Sequence, residues 1–336
     1  MQPFVRATLA LLLTTALAQA EPVPTGKITR YDASLDEVIA TDAQIERLAD
    51  GFTWTEGPVW IEAGRYLLFS DVPENRVYRW TEDRKVTVFL EPSGYDGPPL
   101  PGIREAGANG LHLDGQGKLL LADSGSRLIA RLDLATKRKQ TLAASYEGKR
   151  FNSPNDIARK RDGPIFFTDP PYGLERLNDS PLKELSFNGV YRLDRNGEVR
   201  LIDASLSFPN GIALAPDERT LYVANSDPDR PIWMRYALDA NGNVTSRTVF
   251  ADASDLMGAG VPGLPDGMTV AASGHVFATG PGGVIVFTPE GKRLGRIETG
   301  TAIANCAFGD DGTLYLTSHK MLARVPTRAT GSALER

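Results

Sequence analysis

The feature that most constrains the fold is a short pattern that recurs six times along the chain. Each copy places an acidic or amide side chain next to a small residue, directly before an apolar run. The copies recur every 39 to 56 residues, at Glu56, Asn109, Asn155, Asn210, Asp266 and Asn305. Repetition at such a period indicates a propeller, a solenoid or another array of similar units. We call these six residues the anchors.

The content of each unit favours a propeller. A polar turn follows each anchor, and short runs rich in β-forming residues follow the turn, such as KLLLADS (118–124) and RLIARLD (127–133). No long amphipathic helix interrupts them. The sequence predicts an all-β fold, a six-bladed β-propeller with a central metal site and three or four antiparallel strands per blade. A two-domain sandwich is the alternative, but it does not explain why every unit has an acidic or amide residue at the same position.

The two ends of the chain suggest segments outside the ring. Arg6 precedes an apolar run at 7–18, and AQA at 18–20 resembles a signal-peptidase site. We expect a cleaved signal peptide at 1–20, a secreted or periplasmic location, and no membrane insertion after cleavage, since no other apolar run reaches membrane length. The remaining boundaries are predicted as an N-terminal extension (21–43), the propeller (44–326) and a C-terminal tail (327–336). Within the propeller, 44–52 should be the outer strand that closes the last blade.

Composition excludes several classes of function. The net charge is −5 and there is no basic stripe, so we expect no nucleic-acid partner. Cys306 is the only cysteine, which rules out an intramolecular disulfide. The three histidines lie far apart and form no zinc-binding motif. No GxSxG nucleophile motif occurs, and GAGVPG (258–263) lacks the βαβ context of a dinucleotide site.

The anchors predict a cation site. The first strand of each propeller blade lines the central channel, so six equivalent side chains converge near the axis. Carboxylate and amide oxygens are the ligands that hard divalent cations prefer. We expect one cation held by Glu56, Asn155, Asn210 and Asp266, with Ca²⁺ as the first expectation and Mg²⁺, Mn²⁺ or Zn²⁺ as alternatives. Asn109 and Asn305 are left as channel-lining residues or substrate contacts.

Two further segments are candidates for the substrate pocket. The stretch 91–107 is rich in proline and glycine and is long for a connection between blades, which predicts a lid or rim over the channel. Arg104 in this stretch could bind a polyhydroxy or anionic substrate. Asp169 and Tyr172 lie at the end of the run FFTDPPYG, where either turn formation or the pocket wall would explain them.

The motifs at the anchors resemble those of the regucalcin/gluconolactonase (senescence-marker-protein-like) family of calcium-dependent lactonases. The resemblance runs from about residue 52 to 318 and rests on WTEGPVW, SPNDIA, FPNGIAL, PDGM and AFGDDGTLYLTS. SPND and TDPPYG are closest to the bacterial gluconolactonase branch. The resemblance implies a six-bladed propeller whose metal is held at Glu56, Asn155, Asn210 and Asp266. It also implies that Asp266 is the catalytic acid–base group, and squid-type phosphotriesterases share this architecture.

The function expected from these observations is metal-dependent hydrolysis of a sugar lactone, with glucono-1,5-lactone opened to gluconate. A cation would polarise the lactone carbonyl and activate water. Asp266 would take the water proton or only orient the water, and the sequence leaves both roles open. Two alternatives are a non-catalytic propeller that binds a ligand or protein around a structural calcium, and a related hydrolase of phosphotriesters.

Overall fold

The computed structural model describes residues 23–83 and 85–334, and six of its antiparallel sheets surround one axis. The first strands of successive sheets contact one another in chain order. The first strand of the last sheet contacts that of the first sheet, which closes the ring. The chain is therefore a six-bladed β-propeller, as predicted. The predicted signal peptide at 1–20 lies outside the described residues.

The first three blades contain four strands each, ordered from the channel outwards. A two-stranded hairpin, Ser145–Tyr146 with Lys149–Arg150, lies between blades 2 and 3. The strands are Thr55–Ile61, Tyr66–Asp71, Arg76–Thr81 and Val86–Leu90 in blade 1, Leu111–Leu113, Lys118–Asp123, Leu128–Asp133 and Lys139–Ala143 in blade 2, and Ile157–Arg159, Ile165–Asp169, Gly189–Leu193 and Val199–Asp203 in blade 3.

Blade 4 also has four strands, whereas blades 5 and 6 each have five because segments from the N-terminal end join them. The strands are Pro209–Leu214, Thr220–Asp227, Arg230–Leu238 and Val244–Asp252 in blade 4, Met268–Val270, Val276–Gly280, Gly283–Phe287, Arg293–Glu298 and Lys27–Arg30 in blade 5, and Asn305–Phe308, Thr313–Ser318, Met321–Pro326, Glu46–Asp50 and Val23–Pro24 in blade 6. Short 3₁₀ turns lie at Ala33–Glu37, Glu62–Gly64, Leu177–Asp179 and Ser254–Leu256. Over the described ranges, no helix is long and apolar enough to cross a membrane.

The hydrophobic core lies between adjacent blades. In blade 1 the second strand, Tyr66–Asp71, is almost entirely buried, whereas the outermost strand, Val86–Leu90, is partly exposed. Leu68 of blade 1 packs in one cluster with Leu111 and Leu119 of blade 2. A strand covered on both faces requires an unbroken apolar run rather than alternation, which explains the sequence of the inner strands.

The N-terminal segments close the ring. Glu46–Asp50 pairs antiparallel with Met321–Pro326, the third strand of blade 6, which confirms the predicted closing strand. Lys27–Arg30 pairs with Arg293–Glu298 as the outermost strand of blade 5. The stretch 21–43, expected to be an extension outside the propeller, therefore contributes a strand to it. Both pairings cover sheet edges that would otherwise be open to other chains.

The C-terminal tail also belongs to the folded body. Gly331 forms a bridge with Ala271, and Thr330 accepts a backbone hydrogen bond of 2.8 Å from Ala272. Leu334 is 2% exposed and packs in the cluster that contains Ile212. It lies among residues that follow the anchors along the first strands, at the end of the channel opposite the anchors. The tail thus covers this end of the channel.

The packing of the tail predicts the effect of removing the Leu334 side chain. Leu334→Ala should lower the free energy of unfolding by about 2–4 kcal/mol, because it leaves a cavity in a well-packed core. Urea unfolding monitored by intrinsic fluorescence measures this loss. Ala333→Ser, at the exposed neighbouring position, is the matched control and should change stability little. Equal stability of the two variants would contradict the buried position of the tail.

Candidate active site

Five of the six anchors line one cavity at the mouth of the central channel. The cavity has a volume of about 630 Å³. Glu56 is 3% exposed, and the three asparagines among these anchors are equally buried. Because each anchor lies within two residues of the start of the first strand of a different blade, chain segments more than 200 residues apart meet here. The anchors that line the cavity are Glu56, Asn109, Asn155, Asn210 and Asp266.

Hydrogen bonds between blades fix the backbone of the anchors. The Ser70 hydroxyl, in the second strand of blade 1, donates to the carbonyl of Asn109 at 2.8 Å. The Thr168 hydroxyl, at the equivalent place in blade 3, donates to the carbonyl of Asn210 at 2.6 Å. The backbone N–H of Gly110 reaches the carbonyl of Asn155 at 2.7 Å. The carbonyls of Asn109, Asn155 and Asn210 are therefore held by the preceding blade, which fixes the position from which each of these side chains starts.

The residue after Glu56 and the residue after Asn210 must be glycine because neighbouring blades touch at this level. A Cβ atom on Gly57 would lie 2.2 Å from the carbonyl oxygen of Asn109, and one on Gly211 would lie 2.2 Å from that of Asp266. Real Cβ contacts are never this short. Glycine at these positions permits the approach of two backbones. The Asn-Gly pairs, which usually signal turns, therefore have a different physical cause here.

The orientation of the Asn210 amide is set by Ser226. The Nδ2 group of Asn210 donates to the Ser226 hydroxyl oxygen at 2.9 Å, and this hydroxyl donates in turn to the carbonyl of Pro265. The network directs the amide oxygen of Asn210 away from Ser226. Both Asn210 and Ser226 line the cavity. Ser226 thus links the Asn210 side chain to the backbone beside Asp266.

Two oxygen atoms at the cavity are buried without a hydrogen-bond partner. They are Oδ1 of Asn210 and Oδ1 of Asp266, and neither has a donor within the described part of the chain. Leaving a buried polar atom unpaired costs about 1–3 kcal/mol. Asn210 and Asp266 belong to neighbouring blades, so a group bound in the cavity that contacted both oxygens would remove this cost.

The carboxyl groups of the site interact unfavourably with one another. Burial, together with repulsion from Asp156, raises the pKa of Glu56 to about 8, while its Oε2 atom accepts a 3.0 Å bond from Gly57. Burial also raises the pKa of Asp266 well above its usual range, and the charge of Glu56 adds to this shift. A positive charge among these groups would stabilise both carboxylates.

The donor set fits a hard cation. Glu56 and Asp266 supply charge, and the amide oxygens of Asn155 and Asn210 supply neutral ligands, the mixture that Ca²⁺ and similar ions prefer. Across the described ranges, no three histidine, cysteine, aspartate or glutamate side chains gather in a metal-binding cluster. A cation at this site therefore depends on the two asparagines as well as the two acids.

The sixth anchor lies deeper in the channel. Asn305 does not line the mouth cavity but a small space below it, and its Oδ1 accepts a 2.8 Å bond from the N–H of Cys306. Its side chain also hydrogen-bonds to Glu56 and Asp156. Of the two roles expected for Asn305, channel lining matches this position and substrate contact does not.

Asp156 is a buried channel residue that the sequence analysis missed. It occupies the position next to Asn155 where four of the other five blades have glycine, so the signal was PND in place of PNG. Its carboxylate accepts bonds from the N–H groups of Ile157 and Ile212 at 2.9 and 3.1 Å. Burial raises its pKa to about 7. It fills the space left open by Gly110.

The other candidate pocket residues separate into two groups. Arg104 and Tyr172 line the cavity, and the Tyr172 ring stacks on Phe208 with centroids 5.7 Å apart. Asp169 does not reach the cavity. It is fully buried and accepts 2.8 Å bonds from the N–H groups of Asn152 and Ser153, so it shapes the loop before Asn155. Of the two roles expected for Asp169, turn formation matches this position and the pocket wall does not.

The stretch 91–107 forms a fixed rim of the cavity. The N–H of Arg104 donates to the carbonyl of Gly173 at 2.8 Å, and Ile103 bridges to Leu174. The rim brings Glu105 to the cavity, and apolar side chains face the same space. Several residues that line the cavity were not predicted from the sequence. They include Trp54, Pro73, Glu105, Leu177, Ser226, Leu264, Ala302 and Ile303.

The class of this protein is defined by two features. They are a six-bladed propeller, and buried carboxylate and amide oxygens at one mouth of its channel. The model of the SMP-30/Gluconolactonase/LRE-like region matches residues 54–320. The chain belongs to this family, which confirms the resemblance found in the sequence.

Individual relatives extend the match over nearly the whole chain. The chain is 45% identical to the gluconolactonase of Zymomonas mobilis, over 91% of this chain and 87% of that protein. It is 27% identical to pentonolactonase XacC of Haloferax volcanii, over 78% and 80% of the two chains. The solved structure of the Xanthomonas campestris gluconolactonase XC5397 has a TM-score of 0.79 at 34% identity, covering 92% of this chain and 98% of that one.

The close approach of blades at the anchors predicts the effect of a single methyl group. Gly211→Ala should lower the free energy of unfolding by about 1–3 kcal/mol, because the new Cβ meets backbone atoms of Asp266 and Gly267. Thermal and urea unfolding measure the loss. Gly258→Ala is the matched control, since Gly258 is exposed and its nearest atom would be 3.5 Å away. A Gly211→Ala protein as stable as this control would contradict the packing described here.

Proposed function

We propose that this protein hydrolyses sugar lactones and opens glucono-1,5-lactone to gluconate. The observation that carries the proposal is the cavity of buried acid and amide oxygens in a chain that matches a named gluconolactonase at 45% identity over 91% of its length. The cavity is large enough for a monosaccharide lactone, and ligand sites commonly have volumes of about 300–1,000 Å³.

We infer that the reaction depends on one divalent cation, with Ca²⁺ as the first expectation, held by Glu56, Asn155, Asn210 and Asp266. The unpartnered oxygens of Asn210 and Asp266 support this inference, as does the mutual repulsion of the buried carboxyl groups. When bound, such an ion polarises the lactone carbonyl and makes water more acidic.

The chain's own residues complete the reaction. Hydrolysis adds the oxygen of water to the lactone carbonyl carbon and breaks the bond from that carbon to the ring oxygen. We propose that Asp266 takes a proton from the attacking water and returns it to the departing ring oxygen. The positive charge of the bound cation would lower the pKa of Glu56, which burial raises, so that Glu56 carries a negative charge beside this group. The walls formed by Tyr172 and the rim orient the lactone and exclude most bulk water.

Removing the cation should abolish catalysis. After treatment with EDTA, the protein should hydrolyse glucono-1,5-lactone no faster than the spontaneous reaction, followed as acid release with the background subtracted. Adding back Ca²⁺, Mg²⁺, Mn²⁺ or Zn²⁺ singly identifies the ion that restores the rate. Calorimetry on the stripped protein should show one binding site, independently of activity. Full hydrolysis by protein shown to be free of metal would contradict the inferred dependence.

The proposed proton transfer predicts the behaviour of Asp266→Asn. Asparagine keeps the size of the side chain and one oxygen ligand but cannot accept the proton, so kcat should fall about 10²- to 10⁴-fold. Steady-state kinetics at saturating metal measure the change, and calorimetry checks that metal still binds. Asp96→Asn, at an exposed rim position outside the cavity lining, is the matched control. A kcat close to that of the parent would exclude Asp266 as the base.

A further inference from the structure

A pair of charged residues on the rim faces the cavity. Arg104 and Glu105 both line it, and an Nη2 group of Arg104 donates to Oε1 of Glu105 at 2.5 Å. The Glu105 side chain is 14% exposed and that of Arg104 is 47% exposed. The carboxylate therefore sits inside the cavity wall, and the guanidinium lies towards solvent.

The backbone of this pair is held in place. The N–H groups of Arg104 and Glu105 both point to the carbonyl of Gly173, at 2.8 and 3.3 Å. Between the same two segments, the N–H of Glu175 donates to the carbonyl of Gly102 at 2.8 Å. The rim is thus joined to the loop that carries Tyr172, and Glu105 faces the cavity without a conformational change.

The Glu105 carboxylate has acceptor capacity to spare. Its Oε2 atom has no hydrogen-bond partner among the residues that the structure describes, and Oε1 is bound only by Arg104. An ionised carboxylate can accept several hydrogen bonds and donates none. Glu105 also lies close enough to Glu56 and Asp266 for its charge to affect both. It therefore faces the same ligand as the anchors.

We propose that Glu105 is a specificity-determining residue that accepts hydrogen bonds from ring hydroxyl groups of the lactone, with Arg104 holding it in position. This inference rests on the proposed lactonase function and deepens it. Substrates are then polyhydroxy lactones, whose hydroxyl groups satisfy the carboxylate as their C–H edges meet Leu264 and Ile303 on the cavity wall. A lactone without hydroxyl groups removes water from Glu105 and offers no donor in exchange.

The test compares two lactones with the same six-membered ring. Glucono-1,5-lactone carries hydroxyl groups, and δ-valerolactone carries none. We take the kcat/KM for glucono-1,5-lactone divided by that for δ-valerolactone. This ratio should fall about 10- to 100-fold in Glu105→Ala, as expected for loss of hydrogen bonds to a charged group. Where δ-valerolactone turns over too slowly, its inhibition constant replaces its kcat/KM. Glu105→Gln keeps the shape and a neutral acceptor, so its ratio should fall less, about threefold to tenfold.

Glu175→Ala is the matched control. Glu175 is exposed, lies in the segment that is hydrogen-bonded to the rim, and does not line the cavity. Its ratio should equal that of the parent. Thermal unfolding shows which variants fold, and Glu105→Gln carries the test if Glu105→Ala does not. An unchanged ratio, or an equal loss on both lactones, overturns the proposal for Glu105. Hydrolysis of neither lactone by the metal-loaded parent overturns the proposed function itself.

Discussion

Backbone contact between neighbouring blades, at the level of the anchors, is the constraint on which the rest of the structure depends. Three anchor carbonyls accept a hydrogen bond from an adjacent blade: Asn109 from the Ser70 hydroxyl, Asn210 from the Thr168 hydroxyl and Asn155 from the N–H of Gly110. This contact is possible only where the next residue leaves room, which explains Gly57 and Gly211. Because backbone atoms set the spacing, the side chains that point into the cavity start from fixed positions. A metal or substrate site built on them is preorganised rather than assembled on binding.

The electrostatics of the cavity follow from the same convergence. Bringing Glu56 and Asp266 to one place out of water raises the pKa of both groups, and the unpaired oxygens of Asn210 and Asp266 add a further cost. Such an arrangement is unfavourable for the isolated chain and persists because the blade contacts determine it. Strain of this kind is common where a protein binds a ligand. The site therefore trades some stability for readiness to bind.

The sequence predicted the number of blades and the closing strand, because these depend on a period, which a sequence displays directly. It predicted six anchors at one mouth of the channel, of which five line the cavity and Asn305 lies deeper. It did not predict Glu105 or Ser226, because their importance comes from contacts across blades that no local pattern reveals. For Asp169 the sequence left turn formation and the pocket wall both open, and only the structure shows that two backbone N–H groups bind its carboxylate. The tail was set apart from the propeller since its length and composition give no sign that Leu334 is buried.

The buried tail has a consequence for how substrate and product enter and leave the channel. A propeller channel open at both ends could admit a molecule on one side and discharge it on the other. Here Leu334 and the bridge from Gly331 to Ala271 cover the end of the channel opposite the anchors. With the far end covered by these described residues, a lactone and the acid made from it would enter and leave past the same rim. Arg104 lies on the solvent side of that rim, so its positive charge would lie on the path of both the entering lactone and the leaving carboxylate.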